Sequence, residues 1–90
     1  MTRRRVVVTG LGIVSPVGND IPQAWSNILA GKSGIGPVTR FDASSFPTRF
    51  AGEVRDFDIT AYLPAKTARS FDTFIHYGLA ASAQAIADSG

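Results

Sequence analysis

The sequence predicts an α/β fold, and three observations carry that prediction. Val6-Val7-Val8, continuing through Leu11, Ile13 and Val14, is β-branched or apolar on both faces, the mark of a central strand covered on two sides. Ile21, Ala24, Trp25, Ile28 and Leu29 fall at i, i+3, i+4, i+7 and i+8, the full stripe of an amphipathic helix. A third run, from Ser70 or Asp72 to about Ser89, keeps helical spacing throughout. A strand apolar on both faces needs helices above and below it, so the elements imply one another.

Taken in order, the strand ends at the breaker Ser15-Pro16-Val17-Gly18, where proline removes a backbone donor and biases Ser15 away from helical angles. Asp20 then caps the first helix, Pro22 occupies its first turn, and Gln23 completes a D-x-x-Q capping box. Gly31 closes that helix as the left-handed residue, with Lys32 beside the negative end of the dipole. Trp25 belongs to its core face. From Ser33 to Leu63 regular signals weaken, but Phe41, Phe46, Phe50, Phe57 and Tyr62 stud the stretch. An aromatic-rich excursion buries enough area to be ordered, where a linker would be polar. Short strands are expected around Arg49–Val54, and Asp56-Phe57-Asp58 as a turn. The last helix carries bulk at Phe71, Phe74, Ile75, Leu79 and Ile86. Gly78, Ala81, Ser82 and Ala85 form a small-residue face that admits another backbone closely. Gly90 stands at its C-terminal end.

Composition excludes several classes of function. The 90 residues contain no cysteine and one histidine, which rules out a disulfide scaffold, thiol chemistry and a zinc site of the usual ligand set. Charged residues are 18%, against a typical value of about 25%. A free-standing domain of this size buries only roughly 60% of its unfolded surface and should carry more charge than average. The deficit, like a small-faced helix with little to bury it, indicates covering layers outside this sequence. Net charge is +2, and apart from Arg3-Arg4-Arg5 the cations are scattered. A nucleic-acid binder would show a basic stripe with interleaved aromatics. The opening arginines and valines imitate a targeting signal, but Thr9, Gly10 and Gly12 interrupt the apolar run and no small-x-small cleavage site follows. No stretch reaches the ~18 apolar residues of a membrane span. A soluble, cytoplasmic protein without membrane or nucleic-acid partners is expected.

Four motifs have simpler readings beside the functional ones. Gly10-Leu11-Gly12 after a strand imitates a dinucleotide fingerprint, but position 15 is serine, position 16 is proline and the helix begins late. A plain glycine transition from strand to turn is the better reading. Ser15 does not fit the G-x-S-x-G elbow. His76 follows Asp72 by four residues, within reach of a local contact, but without an activated partner it reads as structural or solvent-facing rather than as a general base. Lys66 and Arg69, three apart ahead of the last helix, are either solvated charges or a small basic patch that steers an acidic macromolecule. Spacing alone favours solvated charges.

The run Arg4 to Asn19, Arg-Arg-Val-Val-Val-Thr-Gly-Leu-Gly-Ile-Val-Ser-Pro-Val-Gly-Asn, closely resembles the amino terminus of the β-ketoacyl-[acyl-carrier-protein] synthase II family of condensing enzymes. Trp25, Leu29–Ile35, Phe41-Asp42, Phe50-Ala51-Gly52, Phe71–Gly78 and Asp88-Ser89-Gly90 extend the resemblance over essentially the whole chain. The resemblance implies the N-terminal part of a thiolase-like α/β/α/β/α fold, a homodimer, and a chain several times longer. It implies decarboxylative Claisen condensation of acyl and malonyl thioesters of acyl carrier protein in fatty-acid biosynthesis. That chemistry needs a thiolate nucleophile, imidazoles and oxyanion donors. The family's cysteine and two histidines have no counterpart among these residues, and His76 matches none of them. The catalytic set of this chain is therefore empty, the chain alone is expected to be inactive, and no cofactor or metal is implied. Lys66 and Arg69 align with basic residues that the family uses to dock acidic carrier protein, while Ser70 stands where it often has a further basic one. The alternative is a non-catalytic module that binds carrier protein or a nucleotide.

Overall fold

The computed structural model describes residues 3–90. Its elements are α1 (Ile21–Leu29), β1 (Ile35–Pro37), β2 (Phe50–Gly52), a 3-10 turn (Ile59–Ala61), α2 (Ala65–Ala68) and α3 (Thr73–Ser89). β1 and β2 pair antiparallel, with Gly36 opposite Ala51. Val38 extends the ladder by donating to the Arg49 carbonyl at 3.0 Å.

The helix ends follow the sequence closely. Gln23 N–H donates to Asp20 Oδ1 at 2.8 Å, and the Gln23 side chain reaches back to Asn19 N–H at 2.9 Å. The capping box thus closes one residue earlier than its usual form. At the other end Gly31 has φ +72°. Gly31 N–H donates to Ile28 O and Lys32 N–H to Asn27 O, the pair of bonds that defines a Schellman C-terminus. Asp72 caps α3 through Thr73 N–H at 2.9 Å, and Gly90 ends it at φ +81°.

The opening valine run departs from expectation. Residues 3–14 join no ladder, and Val6 is 94% exposed. The limb lies instead along the C-terminal half of α3. Leu11 N–H donates to Asp88 Oδ2 at 3.0 Å, and Ile13 N–H donates to Gln84 Oε1 at 3.0 Å. Two extended residues advance about 6.6 Å and four helical residues about 6.0 Å. Amides at i and i+2 of the limb therefore meet side chains at j and j−4 of the helix, running antiparallel to it. The small-residue face also found another partner than a helix. A methyl group on Gly10 would strike the Ala85 carbonyl oxygen and stand 2.8 Å from Ser89 N; one on Gly12 would strike the Ala81 carbonyl oxygen and stand 2.8 Å from Gln84 Cβ. Glycines on the limb and alanines on the helix together allow backbone to approach backbone.

Among the described residues the buried hydrophobic side chains are four alanines, Ala24, Ala43, Ala68 and Ala80, the last completely, and the glycines Gly18 and Gly34 are buried beside them. Trp25, expected in the core, is 59% exposed, and Phe74 on α3 is 71% exposed. The accessible surface is 7155 Å², against roughly 5,000 Å² for a self-contained domain of this mass. The radius of gyration is 16.6 Å, where compaction would give about 12 Å. The apolar stripes that the sequence predicts are thus present on their helices but uncovered.

Candidate functional site

α2 is a single turn of four residues, capped by Pro64 without a side-chain bond. Lys66 lies within it and Arg69 is its C-terminal cap, and both are exposed. An isolated turn cannot hold itself, because nucleation fixes several dihedrals for one hydrogen bond. Its neighbours hold it. Asp58 accepts from Thr60 N–H at 2.9 Å and from Thr60 Oγ1 at 2.5 Å, which starts the preceding 3-10 turn. These bonds, from the Thr60 side chain first and its backbone second, hold the Asp58 carboxyl below the usual range. Phe57 stacks on Tyr62 at 6.3 Å and meets Tyr77 of α3 edge-on at 5.2 Å. On the far side Ala68 is buried, and its carbonyl accepts from Phe71 N–H at 3.2 Å. His76 Nε2 lies 2.8 Å from the same oxygen.

The remaining sequence candidates have structural duties. Ser15 Oγ donates to Gly18 O at 3.0 Å and accepts from Val17 N–H at 3.3 Å, closing the proline turn. His76 turns to Ala68 rather than to the Asp72 side chain. Gly10 and Gly12 press on the body of α3, which occupies the space a pyrophosphate would need and offers no helix N-terminus to it. A hollow of about 390 Å³ opens where the limb, the start of α1 and the end of α3 meet, lined by Leu11, Ile21, Pro22 and Ala87 with Asp20, Gln84 and Asp88. Both of its carboxylates are committed, Asp20 to Gln23 N–H and Asp88 to Leu11 N–H.

Two polar nodes escaped sequence reasoning. Gln84 joins three parts of the chain: it accepts from Ile13 N–H, and its amide donates to Asn19 O at 2.6 Å and to Tyr62 Oη at 2.9 Å. One amide between alanines on an otherwise small and apolar helix face was the available signal. Glu53 gathers Thr39 Oγ1 at 2.8 Å, Thr39 N–H at 3.2 Å and Arg40 N–H at 3.3 Å. The Thr39 hydroxyl, above all, holds its carboxyl below the usual range. Arg40 donates to Tyr77 Oη at 2.6 Å, a bond that raises its pKa. Arg40 and Glu53 therefore link the region of β1 and β2 to α3.

The chain fold that lays this glycine limb on a small-faced helix is similar to that of a ketosynthase. The structure superposes on "The ishigamide ketosynthase/chain length factor" with a TM-score of 0.83 at 35% identity, covering 99% of this chain and 22% of that one. Residues 3–90 match the family Beta-ketoacyl synthase, N-terminal domain, and the chain belongs to that family. It is 56% identical over all its 90 residues to 3-oxoacyl-[acyl-carrier-protein] synthase 2 of Vibrio harveyi. It is 54% identical over the same length to the protein of that name from Coxiella burnetii. In both cases it spans 22% of the relative's length.

Proposed function

We propose that residues 1–90 are the N-terminal segment of a condensing enzyme that elongates acyl-[acyl-carrier-protein] with malonyl-[acyl-carrier-protein] in fatty-acid biosynthesis. The observation that carries this reading is 56% identity along the whole chain to a 3-oxoacyl-[acyl-carrier-protein] synthase. In the reaction, a cysteine outside these residues takes the acyl group as a thioester. The malonyl unit loses carbon dioxide, and its carbanion attacks the acyl carbon as the thiolate leaves. Uncovered apolar stripes on α1 and α3 support a place for the segment within the larger α/β/α/β/α fold of a cytoplasmic homodimer, whose other layers would cover them.

Within that enzyme this segment contributes binding. Lys66 and Arg69 dock the acidic carrier protein, and the support is their exposure within and at the end of one helical turn. Exposed cations of this kind act chiefly on the association rate and weaken with salt. Ser70 adds no charge, so the patch is a pair. In the full-length protein, condensation is expected from the intact sequence and none from the 90 residues alone. Reversing both charges, Lys66→Glu with Arg69→Glu, should weaken carrier binding roughly tenfold at low salt and abolish its salt dependence. Turnover by the short chain, or unchanged carrier binding by the double variant, would refute the respective half of the proposal.

A further inference from the structure

We infer that His76 is a positioning residue for the basic pair: its ring nitrogen, held on the carbonyl of Ala68, sets the turn from which Lys66 and Arg69 project. This rests on the docking reading above. A four-residue helix with no side-chain cap has too few internal bonds to fix its own orientation, so the direction of its side chains is decided by what grips its ends. The grip is visible at the C-terminal end. Arg69 N–H donates to Ala65 O at 3.2 Å, Ser70 N–H to Thr67 O at 3.1 Å and Phe71 N–H to Ala68 O at 3.2 Å. All three bonds are local to the turn and its exit, and travel with it. The His76 bond to Ala68 O, at 2.8 Å and half-buried, is different. It comes from the second turn of α3, a 17-residue helix with its own Asp72 cap, across the two residues Ser70 and Phe71. His76 thus ties the carbonyl immediately before Arg69 to a rigid element.

The nitrogen bonded to a carbonyl must carry the proton, so Nε2–H donates to Ala68 O. Any side chain that brings an N–H to the same place can do the same work. A ring of equal bulk without a donor cannot. The bond is half-buried at the residue immediately before Arg69, so its loss should act on carrier recognition and leave the chemical step alone.

The test uses full-length protein and compares His76→Phe, His76→Gln and the Lys66→Ala/Arg69→Ala double variant. Each is assayed with acyl carrier protein thioesters and with a short pantetheine thioester that lacks the carrier. His76→Phe is expected to raise KM for the carrier substrate about three- to tenfold, the scale of one lost hydrogen bond, with kcat and the pantetheine reaction unchanged. His76→Gln should restore the parental KM. Adding His76→Phe to the double variant should raise KM little further, since the pair it positions is gone. If the double variant raises KM and His76→Phe does not, positioning by His76 is refuted and docking stands. If His76→Phe slows the carrier and pantetheine reactions alike, its role is general stability, and the inference fails. If the double variant itself leaves KM unchanged, the docking reading falls and this inference with it.

Discussion

Gly12 rests against the Ala81 carbonyl oxygen of α3 so closely that no methyl group fits between them. Gly10 repeats the arrangement one helical turn on, at Ala85. The contact joins an N-terminal limb to a helix some seventy residues later, so it is a long-range constraint on where both lie.

Gly12→Ala should therefore force the limb off α3. Overpacking against backbone has no flexible side chain to absorb it and typically costs about 1–3 kcal/mol. The same shift would pull Ile13 N–H from Gln84. Denaturant unfolding of the full-length protein reads the loss directly. Unchanged stability would mean that the limb does not seat on the helix as described.

Gln84→Leu keeps the volume and removes the amide that serves Ile13, Asn19 and Tyr62. Leaving half-buried partners unpaired costs about 1–3 kcal/mol in total when water cannot reach them all. The expected outcome is a loss in that range for Gln84→Leu, and a smaller one for Tyr62→Phe, which removes a single bond. A larger loss at Tyr62 would place the node's weight on the aromatic stack with Phe57 instead.

These two sites show where sequence reading stops. Asp20, Gly31, Asp72 and Gly90 were legible because a cap is a local event, decided by a few neighbouring residues and one dihedral. β2 lay inside the span expected to hold strands. The valine limb was legible as apolar but not as to partner: a strand's period says which faces want cover, and nothing in it says whether the cover is a sheet or a helix. The small face of α3 carries the same ambiguity, and its glycine partners, Gly10 and Gly12, read in the sequence only as a transition from strand to turn. Gln84 and Glu53 work through residues 13–71 positions away, and such pairings leave no mark at fixed spacing. For Lys66 and Arg69, position on an exposed turn follows from the fold, whereas their role was suggested by resemblance alone.

Gly31 offers a test of local strain free of packing. Its φ is +72° and nothing lies within 4 Å of where a side chain would start, so a substitution there meets backbone energy only. Gly31→Ala is expected to cost about 1–2 kcal/mol in the full-length protein. Gly31→Asn should cost less, because asparagine tolerates the left-handed region. Equal losses for the two would indicate that a neighbouring layer crowds the site.

Glu53 provides a pH test whose sign can be worked out. The Thr39 hydroxyl, then the Thr39 and Arg40 amides, stabilise its charged form and lower its pKa in the fold, with the Arg40 charge contributing least. A carboxyl depressed in the folded state adds stability above its unfolded value of about 4.3 and loses it as pH falls through the lower, folded value. The stability difference between the parent protein and Glu53→Gln should accordingly be constant at neutral pH, shrink below about pH 4.3, and vanish once the parental carboxyl is protonated. Because the leading donor is a neutral hydroxyl, the difference at pH 7 should survive about 0.5 M salt, which screens exposed charges. A difference that disappears in salt would transfer the effect to Arg40 and make Glu53 one half of an ion pair. One that persists unchanged below the folded pKa would show that Glu53 acts through packing of its stem, and that the Thr39 bonds add nothing to folding.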